Sequence, residues 1–405
     1  MPDVDPAPLA DGVPSRSVNR RTLLVGAAGA LAAAGLRSPA RAAGYAASVP
    51  ARSGPRFDPV LSRRLRRVLL DASRDPSTHF PGAILRVSSP TLGRWTGFVG
   101  FGRLNPAEPM RPADRFRAGS IVKTFVAVTV LQLAERGRLS LDDRLTEVLP
   151  ASVVGRFANA RDITVRMLLS HRSGIPEWDT PAIDDYIAHH PAKVWKVSEF
   201  LDLAAAQPPV FAPGTSYRYS NTDYNLLGLI IEHATDHSWR REVTRRVITP
   251  LNLPRTYLPA PGHRSLSGAH AHGYGEVDGR TVDLTRVDPS IAGAAGGGAL
   301  VTTVRDLGRF LDALLEGRLF RSRETLQEML DFRPAPDVGG QVGYGLGIER
   351  RVAPGGVDLI GHLGGAAGYA AYVGRLRPRG VTMSYALNWQ GDPSPLHFRA
   401  INALA

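Results

Sequence analysis

Ser120 and Lys123 stand three residues apart in Ala118-Gly119-Ser120-Ile121-Val122-Lys123-Thr124. Three residues is just under one helical turn, so the amine can lie beside the hydroxyl on one helix face. Ser-x-x-Lys in that geometry is a nucleophilic serine activated by a neighbouring amine. The choice of lysine carries information here. The chain has 49 basic side chains and only three of them are lysine. Arginine cannot lose its proton, whereas lysine can do so when its environment disfavours the charge.

Two further groups of residues could serve that serine. Tyr217-Arg218-Tyr219-Ser220-Asn221-Thr222 holds a Tyr-x-Asn triplet in a polar stretch. Tyr219 offers a phenol that can pass protons, and Asn221 an amide that can bind a substrate carbonyl. Free phenol and free lysine amine both titrate near pH 10, so burial together is needed to bring either toward neutrality. Gly361-His362-Leu363-Gly364-Gly365 opens a strand-like segment near the other end of the chain. Its small residues would let a substrate backbone lie along a strand edge, and His362 adds a group titrating closer to neutrality.

The elements that must position these groups follow from the apolar patterning. An apolar-periodic helix is expected from Ser120 to about Glu135, ended by Gly137. Its N-terminus would present free N–H groups to an oxyanion forming at Ser120. Ala83–Val87 and Trp95–Val99 read as strands, as do Gly343–Val352, Val357–Ile360, Tyr369–Arg375 and Thr382–Asn388. The stretch between is mostly helical to about Ala260. Further on, Thr303 reads as the N-cap of a helix over Val304–Leu315. Strands at both ends predict one antiparallel sheet flanked by helices, an α/β (α+β) architecture with an inserted helical subdomain. The expected division is residues 58–136 and 285–405 for the sheet subdomain and 137–284 for the helical one. The active site would lie between them.

In their order and separations, the three motifs resemble the penicillin-recognising serine hydrolases. Within that superfamily the likeness is to secreted actinomycete D-Ala-D-Ala carboxypeptidases more than to class C β-lactamases, which carry lysine where His362 stands. Asp114–Leu149, Ile163–Gly174, Thr249–Leu253, His270–Tyr274 and Gly343–Gly347 share the likeness, which extends over most of the chain from about residue 57. The resemblance implies a β-lactamase/transpeptidase-like fold and a covalent acyl-enzyme on Ser120. Lys123 or Tyr219 would be the base, and Tyr219 would protonate the leaving amine. Asn221 would bind the substrate amide, and the Gly365 N–H, next to Gly364, would complete the oxyanion hole. It implies cell-wall peptides as substrates and β-lactams as acylating agents. Two positions depart from the pattern. Glu349 stands where an arginine would hold a terminal carboxylate, and Leu363 where a threonine would touch it. Arg351 shares the strand face of Glu349 and is the candidate substitute. An esterase or D-amino-acid amidase of the same fold is therefore the alternative enzyme, and a penicillin- or wall-binding protein with little turnover the alternative of another class.

The net charge of +12 suits an anionic partner, but no nucleic-acid motif accompanies it. Asn19-Arg20-Arg21-Thr22 precedes a mildly apolar run from Leu23 to Leu36 and a Pro39-Ala40-Arg41-Ala42 cleavage pattern. Residues 1–42 thus read as a twin-arginine-type export signal and residues 43–57 as a flexible lead-in. With no cysteine, neither a disulfide nor a lipid-anchored cysteine can form. No metal or cofactor is expected. His270 and His272 lack further ligands at metal spacing, and glycines 293 and 296–298 lack the Gly-Lys-Ser/Thr ending of a phosphate loop. His171 in Leu168–Gly174 is expected to be structural, since no Gly-x-Ser-x-Gly elbow exists.

Overall fold

The computed structural model describes residues 46–50, 55–75, 78, 80–292, 299–335, 342–353 and 355–405. The stretch expected to be an export signal, residues 1–42, and the glycine patch at residues 293–298 lie outside them.

Both ends of the chain feed one ten-stranded sheet. Its strands are β1 (Ala46–Pro50), β2 (Gly82–Ser89), β3 (Gly93–Arg103), β4 (Glu108–Pro109), β5 (Arg333–Pro334), β6 (Val342–Tyr344), β7 (Glu349–Ala353), β8 (Val357–Ala366), β9 (Tyr369–Leu376) and β10 (Val381–Leu387). They run in the order β1-β3-β2-β10-β9-β8-β7-β6-β5, with β4 on β3, and every pairing is antiparallel. The central strands are buried along almost their whole length, as a sheet covered on both sides requires. Along β9, Ala371 and Val373 enter the larger core, while Ala370, Tyr372 and Leu376 enter the smaller one. The helices α1 (Pro59–Arg74) and α8 (Ser394–Leu404) close the smaller core. On the other face lie α2 (Val122–Ala134), α3 (Val165–Leu169), α4 (Pro181–His189), α5 (Val197–Ala205), α6 (Asn221–Thr235) and α7 (Val304–Leu315).

The expected strands at both termini and the helical stretch between them are present. Thr303 caps α7, its hydroxyl accepting from the Asp306 N–H at 3.2 Å. In two places the structure differs from the expectation. Residues 46–50, placed in the flexible lead-in, form an edge strand on β3, and Pro50 sits at its end where an unpaired donor is not missed. The single strand expected over Gly343–Val352 is broken into β6 and β7. Gly347 takes a left-handed φ of 76°, and a Cβ at Gly345 would stand 2.3 Å from the Met329 carbonyl oxygen. The turn made by these glycines reverses the chain and pairs β6 with β7.

Among the described residues no helix is long and apolar enough to cross a membrane. The helix α2 is buried around its whole circumference because it runs through the larger core, with every residue from Val122 to Leu133 buried. That burial carries Lys123 inside with it.

Candidate active site

Ser120 occupies a single 3-10 turn, Gly119–Ile121, directly ahead of α2. The turn exists because Gly119 can take a left-handed φ of 54°. It also lets two backbones touch. A Cβ on Gly119 would stand 2.2 Å from the Gly365 carbonyl oxygen, and one on Gly364 would stand 2.0 Å from that of Ala118. The glycines of β8 are thus the means by which this strand lies against the serine segment. The pairing of β7 with β8 ends at Glu349 and Gly361, so among the described residues the stretch 362–366 has a strand neighbour, β9, on one side only. A free strand edge therefore runs past Ser120. Gly119→Ala is expected to cost about 1–3 kcal/mol through forced separation of these backbones. Thermal melting and the acylation rate should fall together, while a wild-type acylation rate in that variant would contradict the packing argument.

Lys123 is fully buried, with its Nζ 3.1 Å from Ser120 Oγ and 2.6 Å from Asn221 Oδ1. Burial drives the amine down to about pKa 7, against the pull of the Glu177, Asp179, Asp223 and Glu349 carboxylates. At that value much of the amine is neutral near pH 7 and can accept the Ser120 proton. Nζ also lies 4.8 Å from the centre of the Tyr219 ring. The Tyr219 hydroxyl is buried and makes no well-formed hydrogen bond among the described residues. Desolvation raises its pKa well above the usual phenol value, although Ser120 is close enough to oppose this. In this resting arrangement Lys123 is the better placed base and Tyr219 a neutral proton donor.

Asn221 opens α6, and its side chain is already engaged. Oδ1 accepts from Lys123, and Nδ2 donates to Asp179 Oδ2 at 3.3 Å. It is a bridge between amine and carboxyl rather than an open amide. The motif analysis did not single out the acidic groups around it. Glu177 Oε2 accepts the Asn221 N–H at 2.6 Å, at the positive end of the 15-residue helix α6. Its other oxygen accepts the Asp179 N–H at 3.0 Å. Desolvation raises both Glu177 and Asp179, and Asp179 is raised further by its neighbour Asp184. No lysine or arginine makes an ion pair with Glu177 or Asp179 among the described residues. Their one legible signal is two acids inside the apolar run Ile175-Pro176-Glu177-Trp178-Asp179.

The third motif is placed differently from the expectation. His362 is buried beneath the strand edge, with Nε2 3.1 Å from the Tyr344 hydroxyl and Nδ1 against the Leu363 carbonyl oxygen. Desolvation lowers its pKa, so it supplies no cation near neutral pH. Glu349 and Arg351 do share a face, as strand parity requires, but they pair with each other at 2.9 Å. Tyr372 and Tyr385, in the smaller core, and His397, on α8, are close enough for their charges to register. Arg351 is therefore committed to Glu349 and does not replace the missing carboxylate anchor. The imidazoles of His270 and His272 stack 5.3 Å apart, their Nδ1 atoms tied to the Gly268 carbonyl and Asp283.

The chain was compared with known families, proteins and structures. The family model described as Beta-lactamase matches residues 70–405. Penicillin-binding protein 4 of Amycolatopsis lactamdurans is 31% identical over 245 residues, covering 57% of this chain and 58% of that protein. Penicillin-binding protein 4* of Bacillus subtilis (strain 168) is 26% identical over 305 residues, 72% of this chain and 65% of that protein. The chain thus spans less than two thirds of either relative. Among solved structures, a D-stereospecific amidohydrolase from Streptomyces sp. superposes with a TM-score of 0.73 at 32% identity, covering 83% of this chain and 97% of that one. The D-amino acid amidase of Ochrobactrum anthropi SV3, complexed with L-phenylalanine amide, gives 0.72 at 27% identity, covering 85% and 98%.

Proposed function

Since the chain belongs to the Beta-lactamase family, we propose that it is an exported serine hydrolase whose acyl donors carry a free amino group. Amino-acid amides, esters or short peptides with an unblocked N-terminus are the substrate class. In acylation the Ser120 hydroxyl passes its proton to Lys123 Nζ, and Oγ attacks the substrate carbonyl. The Ser120 and Gly365 N–H groups would hold the oxyanion. The C–N or C–O bond then breaks, the leaving group taking a proton from Lys123 or Tyr219, and water releases the acid in a second round.

The observation that carries the amino-group reading is the pair Glu177 and Asp179. Both carboxyls are desolvated, and the Lys123 amine that attracts them makes no ion pair with either and is itself lowered to about pKa 7, so a substrate ammonium would favour their ionised forms. A substrate carboxylate would face them instead, with His362 neutral and Arg351 already paired. The solved structures titled D-stereospecific amidohydrolase and D-amino acid amidase support the same class and suggest the D configuration. Export rests on the arginine pair and apolar run within residues 1–42. A second reading, a D-Ala-D-Ala carboxypeptidase acylated by β-lactams, is favoured by the relatives named penicillin-binding protein and by the free edge of β8.

Kinetics on paired substrates separate the two. D-Phenylalanine amide should be cleaved with a kcat/KM at least about tenfold above that of its N-acetyl derivative. Glu177→Gln should raise KM for the free amine about 10- to 100-fold and leave the acetylated compound nearly unaffected. Preference for peptides ending in D-Ala-D-Ala, unchanged by Glu177→Gln, would establish the carboxypeptidase reading instead.

A further inference from the structure

Tyr219 poses a mechanical problem. Its hydroxyl is buried and makes no well-formed hydrogen bond among the described residues, although Ser120 is close by, so the phenol is only weakly held by the group that does its chemistry. Something else must fix its position beside Ser120 and Lys123.

The backbone supplies the hold on both sides of it. The Arg218 N–H donates to the His171 carbonyl oxygen at 3.0 Å, and the Ser220 N–H donates to His171 Nδ1 at 3.2 Å. One residue therefore grips the peptides immediately before and after Tyr219. The His171 ring also lies against the phenol, centre to centre 4.3 Å, and is itself walled in by Tyr224 at 5.1 Å and Tyr344 at 4.8 Å. His171 is wholly buried and has a left-handed φ of 56°. A non-glycine residue persists there only when its surroundings over-determine it.

A second layer holds the ring. Asp223 Oδ2 is 3.3 Å from Nδ1, and Asp223 Oδ1 accepts from the Ser173 hydroxyl at 2.5 Å. Ser173 Oγ in turn accepts the Ile175 N–H at 2.9 Å, in the segment that leads to Glu177. Burial pushes His171 well below its usual pKa and Asp223 well above. Burial thus disfavours charge on both members of the pair. With Nδ1 accepting the Ser220 N–H, the ring proton sits on Nε2, which has no partner among the described residues. His171 contributes one acceptor and one flat surface, and both are spent on the Tyr219 segment.

We propose that His171 is a positioning residue that clamps Tyr219 in proton-transfer register with Ser120 and Lys123, with Asp223 and Ser173 fixing the clamp. The proposal rests on the acyl-serine reading but not on the nature of the amine. A simple nitrophenyl ester therefore serves as the probe. His171→Leu keeps the bulk and removes the acceptor, and should slow acylation about 100-fold with KM within about threefold. His171→Asn tolerates the left-handed backbone and places an acceptor near the Nδ1 position, and should recover most of that loss.

The deciding readout is a double-mutant cycle with Tyr219→Phe, which a residue important only for folding would not disturb. If His171 acts through Tyr219, His171→Leu adds less than about threefold in the Tyr219→Phe background. Equal losses in both backgrounds, or His171→Asn as damaging as His171→Leu, would overturn the clamp and leave the acyl-enzyme intact. Should circular dichroism show His171→Leu unfolded, His171→Gln, with its acceptor one bond farther out, enters the same cycle and the same outcomes decide. Wild-type protein that forms no acyl-enzyme would overturn this proposal and the function it rests on together.

Discussion

Ser120→Ala is expected to abolish turnover, with kcat falling about 10⁴- to 10⁶-fold. On incubation with a labelled penicillin or a nitrophenyl ester, the wild-type protein should gain the mass of one acyl group and the variant none. The size of the effect follows from the chemistry, since without Oγ no covalent intermediate can form and only the binding and oxyanion contributions remain. Stability should scarcely change. Ser120 sits in a turn with its hydroxyl bonded to Lys123 and close to Tyr219, so its loss should shift unfolding by no more than about 1 kcal/mol. That contrast makes the test clean, because a drop in activity without a drop in melting temperature cannot be blamed on misfolding. An adduct on the Ser120→Ala variant, or brisk turnover by it, would place the nucleophile elsewhere. A wild-type adduct that persists without turnover would point to a binding protein.

How much of this site could be read from the residues alone depends on the range of each contact. Ser120 and Lys123 are neighbours on one helical turn, so their spacing in the chain is their spacing in space. Tyr219 and Asn221 came from a motif, and the structure brings both to Lys123 because the N-terminus of α6 faces that of α2. Glu177 and Asp179 have no such local signature. They sit in a loop without periodicity, and only the packing of that loop on α6 takes them to Asn221. His171 was set aside as structural for a similar reason, since its hold on Arg218 and Ser220 spans almost fifty residues.

The sheet shows the same division. Short apolar-rich runs identified the central strands β2, β9 and β10, where both faces are covered and burial keeps the run nearly continuous. At the edges the pattern weakens. β1 lay in a stretch whose composition reads as a linker, and Gly345 and Gly347 split a strand that looked continuous. Parity correctly put Glu349 and Arg351 on one face, but parity does not tell which face meets solvent. Here that face meets the core beneath α8, so a cation that looked available for substrate is spent inside the fold.

Lys123→Arg should be almost as damaging as loss of the serine, lowering kcat about 10³- to 10⁴-fold. The cavity around Lys123 is closed, with its nitrogen already between Ser120 Oγ and Asn221 Oδ1, so a larger planar guanidinium must displace one of them. More important, arginine stays protonated and cannot accept the serine proton. The wild-type pH dependence should show the group responsible. With the amine lowered to about pKa 7, acylation should rise about tenfold per pH unit below 7 and level off above it. Stability should move in the same direction for a different reason. Between about pH 7 and the ordinary lysine value near 10.4, the unfolded chain holds a proton that the folded protein has released, so raising the pH favours folding across that window. Below pH 7 both states are protonated, and the full cost of a buried ammonium remains. Lys123→Met, similar in length and without a proton to lose, should remove this lysine's contribution to the stability profile and the ascending limb of the rate. An ascending limb centred near pH 10, or one that survives in Lys123→Met, would take the role of base away from Lys123.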